Sequence, residues 1–148
     1  LHLLPEASGS VLVTGGIGTS DAPYIARVDA TGALDQTFGA GGYVKFPAHY
    51  GVSTSTDGKA IYVAYTGRPQ GPGSAEVTVT KLTMAGAVDP KFGDAGSVSW
   101  LEDYRWTNAD DAVLRDGRLT ILGDATDSAG TDDPMFLLRY IVDRHAGG

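Results

Sequence analysis

A thirteen-residue passage occurs twice in the chain, and that repetition constrains the fold more than any other feature. The first copy runs from Gly32-Ala33-Leu34-Asp35-Gln36-Thr37-Phe38-Gly39 to Val44, and the second from Gly86-Ala87-Val88-Asp89-Pro90-Lys91-Phe92-Gly93 to Val98. The leading Gly-Ala, the Asp, the Phe-Gly pair, Gly42 with Gly96 and the closing Val are identical, and Leu34 faces Val88. Gly32 and Gly86 are 54 residues apart, as are Arg27-Val28 and Lys81-Leu82 just upstream. Asp57-Gly58-Lys59 returns 59 residues later as Asp116-Gly117-Arg118, and Ser8-Gly9-Ser10 looks like an earlier, degenerate version. Self-similarity at such a period points to propellers or arrays, in which each unit buries its apolar face only against a neighbour.

The repeated motif has a physical reading. Asp89-Pro90 is a capping acceptor followed by a residue with no amide to lose. Gly93, four residues on, can take the left-handed conformation that ends a single turn. Phe38 and Phe92 are then expected to point from the turn onto a sheet. The residues Gly32, Asp35, Phe38, Gly39, Gly86, Asp89, Phe92 and Gly93 therefore read as a structural bracket between strands, and none is assigned catalysis.

Strands are expected at Ser10–Gly15, Tyr24–Asp29, Gly42–Phe46, Val52–Thr56, Ala60–Thr66, Glu76–Thr83, Ser97–Leu101, Ala112–Arg115, Arg118–Gly123 and Met135–Ile141. Alternation sets Val77, Val79 and the Lys81 stem on one face and Thr78, Thr80 and Leu82 on the other. Asp-Gly at 57–58 and 116–117 is the strongest local hairpin signal. The expected fold is all-β, a β-propeller-type array of four-stranded antiparallel blades with about 2.5 blades present, a partial propeller. The segmentation is residues 1–9 as the end of a preceding blade, 10–58 and 59–117 as blades one and two, and 118–148 as a partial third.

The whole pattern is a basic residue with an apolar neighbour, then Gly-x-apolar-Asp-x-x-Phe-Gly-x-x-Gly-x-Val, then an Asp-Gly-Lys turn and an apolar strand. It resembles the delta-60 repeat over about residues 8 to 142. That resemblance implies a propeller-like tandem repeat of large, often secreted or surface-associated bacterial proteins, with no catalytic residues generally assigned. The third copy stops at Arg139-Tyr140-Ile141-Val142-Asp143, before its bracket. Too few blades are present to close a ring, so the expected partners are the remaining blades of a longer chain or other repeat subunits.

Composition narrows the function classes. The formal net charge is −7 and the eleven basic residues are scattered singly, a poor match to nucleic acid or anionic membrane. The longest apolar run, Ala60 to Tyr65, falls far short of the roughly 20 residues that span a bilayer, so membrane insertion is not expected. The absence of cysteine removes disulfides, thiolate metal sites and a Cys nucleophile. Leu1-His2-Leu3-Leu4-Pro5 carries no basic n-region, so any export signal is expected outside this segment.

Candidate sites are few. The segment from Asp124 to Asp133 gathers Asp124, Asp127, Asp132 and Asp133, an oxygen-rich loop for which calcium is weighed against plain solvation; it fits no EF-hand spacing. Trp100, Tyr104 and Trp106 with Glu102, Asp103 and Arg105 read as one loop that either stacks on sugars or packs between blades. His2, His49 and His145 lie at no metal-ligand spacing. No catalytic, cofactor-binding or metal-ligating residue is assigned. The expectation is a non-enzymatic structural or interaction module, binding protein or glycan, of an exported bacterial protein at the cell surface, outside the cell or in the periplasm. The alternatives are a propeller hydrolase or lyase with its catalytic residues outside this chain, and a calcium-stabilised adhesin or filament component.

Overall fold

The computed structural model describes residues 2–16, 23–46, 48–67, 75–102, 106–126 and 135–142. They form three antiparallel sheets, and no α-helix occurs among the described residues. The first sheet holds β1 (His2–Pro5), β2 (Val11–Gly16), β3 (Pro23–Val28) and β4 (Tyr43–Lys45), in that spatial order. The second repeats the arrangement with β5 (Ala48–Thr56), β6 (Ala60–Gly67), β7 (Ala75–Thr83) and β8 (Ser97–Glu102). The third has β9 (Trp106–Arg115), β10 (Arg118–Thr126) and β11 (Met135–Ile141). Sequential hairpin-joined strands, sheet after sheet, make the architecture β-propeller-type; the sheets do not close a ring.

Two apolar cores hold the sheets together. Leu12, Ile25, Phe38 and Phe46 meet Ile61, Val63, Tyr65 and Leu82 between the first and second sheets. Ala60, Tyr62, Ala64, Val77, Val79 and Phe92 meet Ala109, Ala112, Leu119 and Ile121 between the second and third. The second sheet is thus covered on both faces, which is why every residue of β6 from Ala60 to Thr66 is buried. In β10, covered on one face, exposed and buried residues alternate from Arg118 to Gly123. The alternation expected in β7 holds: Val77 and Val79 face the third sheet, and Leu82 faces the first. Toward the inner strands the sheets are latched by hydroxyls. Thr14 and Thr54 share a hydrogen bond at 2.7 Å, Leu114 donates its amide to the Ser55 hydroxyl at 2.8 Å, and Ala109 donates to Thr66 at 3.2 Å.

The structure departs from the expectation in three places. His2–Pro5 forms a strand of the first sheet, paired with β2, and is not the end of another blade. The sheets span 2–45, 48–102 and 106–141, so the cuts at 58/59 and 117/118 fall inside hairpins that join first and second strands. The sequence repeat is carried by turn chemistry, whose phase is one strand behind that of the sheets. The two Asp-Gly turns also differ. Asp116 and Gly117 both have positive φ, 49° and 68°, as a two-residue type I′ hairpin requires. At 57–58 only Gly58 does, because the Asp57 carboxylate accepts the amides of Lys59 and Ala60 at 2.8 Å and closes a longer turn.

Candidate functional site

The repeated bracket has the same backbone bonding in both copies. Asp35 donates its amide to Arg27 O and Asp89 to Lys81 O, each at 2.9 Å. Phe38 donates to Asp35 O at 3.1 Å and Phe92 to Asp89 O at 3.2 Å, closing one hydrogen-bonded turn where a capped helical turn is expected. Isolated bridges pair Val28 with Leu34 and Leu82 with Val88. Gly39 and Gly93 end the turns at φ 56° and 57°, a region L side chains rarely adopt, and a Cβ there would strike the carbonyl oxygens of Tyr43 and Ser97. Phe38 and Phe92 are buried, each in the core toward the following sheet. Phe92 stands edge-on to Tyr62 and Tyr140, with centroids 5.8 Å away in both cases, and Tyr140 in turn meets Trp100 at 5.2 Å.

The carboxylates of the bracket are held as anions by donors. The Thr37 hydroxyl at 2.6 Å, then the Thr37 amide, pulls Asp35 below its ordinary value. For Asp89 the Lys81 ammonium at 2.9 Å does so first, and the Lys91 amide follows. Asp29 is lowered by the Thr31 hydroxyl and then by the amides of Ala33 and Thr31. Such groups favour folding while ionised, so their contribution is present above the ordinary carboxyl pKa of 3.8 and is lost as pH falls through the lower folded values. In melting curves taken across that acid range, the Asp35→Asn/Asp89→Asn double variant should lose stability less steeply than wild type. An unchanged slope would show that these carboxylates do not carry the acid sensitivity.

Arg27 is the hub of the first junction. Its guanidinium pairs in bidentate fashion with Glu6 at 2.8 and 3.0 Å, donates to Met84 O in the turn after β7 at 2.6 Å and lies 4.7 Å over the Phe38 ring. Gly39 adds a bond across the same junction, its amide to Ala85 O at 2.8 Å. Beside it a surface groove of about 420 Å³ is lined by Gly39, Ala40, Tyr43, Lys45 and Gly86 among others. The Glu6 partnership was not legible in the sequence, because Glu6 belongs to no repeated motif.

Outside the bracket, one polar cluster stands out. A register shift between Leu122 and Gly123 leaves Asp110 without a cross-strand partner in the β9–β10 ladder, next to Asp124. Partial burial, then the hydrogen bond to Asp124, pushes the Asp110 carboxyl above its ordinary value. Asn108 donates to both Asp124 oxygens at 3.2 and 3.3 Å. Asp124 therefore sits on a strand and not in a loop; Asp127, Asp132 and Asp133 lie outside the described residues. Among the described residues no group of three or more His, Asp or Glu is placed to hold a metal. Trp100 lies on β8 and Trp106 opens β9, so the expected single aromatic loop is divided between two sheets; Asp103, Tyr104 and Arg105 lie outside the described residues. His2 reaches Asp111 at 3.9 Å; His145 lies outside the described residues, and His49 is on β5.

A family model described as "Domain of unknown function (DUF5122) beta-propeller" matches residues 6–38, the stretch from the Glu6 turn through β2 and β3 to the Phe38 bracket. Neither the curated proteins nor the solved structures gave a match to this chain.

Proposed function

We propose, from the premise that this is a β-propeller-type repeat, that the chain is a run of delta-60 repeats serving as a non-enzymatic structural and protein-interaction module of an exported bacterial protein. One observation carries the reading: the charged residues of the repeat are spent on holding turns and junctions. Arg27, Lys81, Asp29, Asp35 and Asp89 each have a structural partner at short range. A general acid or base needs a proton it can give or take near neutral pH, and anions pinned by hydroxyls and amides are poor at that. Trp100 packs against Tyr140, which favours the junction over a sugar platform and so favours protein over glycan as ligand.

Among the described residues the Asp110–Asp124 pair is where a catalytic reading could start, so it supplies the test. Asp110→Asn should raise the melting temperature at neutral pH, because a carboxyl with a raised pKa opposes folding once pH passes that value. Wild type and this variant should both fail to turn over chromogenic esters, glycosides and phosphates. Saturable turnover by wild type that Asp110→Asn abolishes would overturn the reading. The same pair, with Asn108, is the observation favouring a second reading, the calcium-stabilised adhesin. A melting temperature equal in calcium and in chelator removes it.

A further inference from the structure

The junctions make the two outermost sheet faces comparable, residue by residue, with faces that are already buried. Strand register aligns Leu12–Arg27 of the first sheet with Tyr62–Lys81 of the second and Thr120–Arg139 of the third. Two pairs further along, on the same face, Thr14–Ile25 and Ala64–Val79 align with Leu122–Leu137. Ile25 and Val79 are 0% exposed because the next sheet covers them, while Leu137 is 61% exposed. Thr14 and Ala64 are likewise 0% exposed and Leu122 is 41%. Val113, opposite Thr120 on the same outer face, is 55% exposed. The third sheet thus presents apolar residues at the very positions its predecessors bury, with Arg139 standing where Arg27 makes its cross-junction bond.

The first sheet shows the complementary half. Its free face carries Leu3, 58% exposed, with Val13 and Val28, in register with Thr54, Val63 and Leu82, which the second sheet buries against the first. Glycine contacts give an independent sign. A Cβ on Gly86 would strike Gly39 and the Phe38 ring of the preceding bracket, whereas one on its repeat counterpart Gly32 would meet nothing within 4 Å. The turn that receives a bracket in the second sheet stands open in the first.

We propose that two copies of this chain associate head to tail, the outer face of the third sheet of one docking on the free face of the first sheet of the next. The proposal rests on the interaction-module reading and names its partner as a second copy. Continuity with the two internal junctions supports it: Arg139 would donate to Ala30 O, the counterpart of Met84 O, as Leu137 and Leu122 cover Val13 and Val28. Because the two faces differ, the contact is heterologous and builds a ring or a filament, not an isologous pair.

The test is sedimentation velocity on wild type, Leu137→Asp and Leu3→Asp, each substitution being at an exposed position whose fold is checked by circular dichroism. Wild type is expected above monomer mass at high micromolar concentration, and each variant alone as monomer. Mixed, the variants should form a 1:1 dimer and stop there, since one intact face remains on each. A monomeric wild type overturns the proposal, as does self-association that Leu3→Asp leaves intact, which would mean face-to-face packing of third sheets. Neither result touches the interaction-module reading, which fails only on turnover.

Discussion

Replacing Phe92 by Ala is expected to cost about 3–5 kcal/mol, the range for emptying a buried aromatic site. Phe92 is 2% exposed and fills the wedge between the second and third sheets, where Tyr62 and Tyr140 both meet its ring edge-on. Part of the loss, on the order of 0.5–1.5 kcal/mol per aromatic pair, comes from those contacts beyond the area buried. A domain of this size has a total stability of roughly 5–15 kcal/mol, so the variant would lose a large share of it. In a repeat array each unit leans mainly on its neighbours, so the third sheet should loosen before the first two. Chemical denaturation followed by tryptophan fluorescence reads this directly, since Trp100 lies against Tyr140 in the same wedge. Phe38→Ala opens the other junction at comparable cost and should leave the Trp100 signal to move later. A loss below about 1 kcal/mol for Phe92→Ala would mean the wedge collapses onto the gap, and the bracket would not be what holds the sheets together.

Arg27→Ala should be as damaging by a different mechanism. Glu6 has only 6% of its side chain exposed and Arg27 14%, so truncating the arginine strands a desolvated carboxylate; breaking such a pair costs about 3–5 kcal/mol. The cross-junction bond to Met84 O goes too. The cost should be mostly the unpaired charge, so Glu6→Gln in the Arg27→Ala background should recover part of it, measured by the denaturation midpoint. No recovery would assign the loss to the Met84 bond and the stacking on Phe38. Lys81→Ala, at the equivalent position, should cost less: its ammonium pairs with the half-exposed Asp89 and not with a buried carboxylate.

Much of this frame could be read from the residues. Where a strand is bounded by Gly or Asp turns and followed by an apolar run, as at Arg118–Gly123, the sequence marks it within a few residues. His2–Pro5 was missed because His-Leu-Leu-Pro carries a proline and no alternation; its only signal is the Ser8-Gly9 turn, which by analogy with Asp57-Gly58 ought to follow a strand. The role of Phe38 and Phe92 was legible because a repeated aromatic beside a glycine has few uses. Glu6 and Asp110 were not legible. Glu6 finds Arg27 across 21 positions with no local pattern, and Asp110 acquires its neighbour through a register shift that periodicity does not encode. Chemistry that depends on tertiary meeting points leaves no spacing to read.

The three sheets agree in frame although the chain between them does not keep step. Arg27 to Lys81 is 54 residues while Lys81 to Arg139 is 58, yet all three hold equivalent ladder positions. Tyr62 to Lys81 and Thr120 to Arg139 are both 19 residues, so the slack enters earlier: Val44 to Tyr62 is 18 residues and Val98 to Thr120 is 22. The passage from the last strand of one sheet to the second strand of the next therefore absorbs changes of length that the ladder positions never register. Selection, or a designer, could lengthen that passage while the hairpin that follows it keeps its place against the neighbouring sheet.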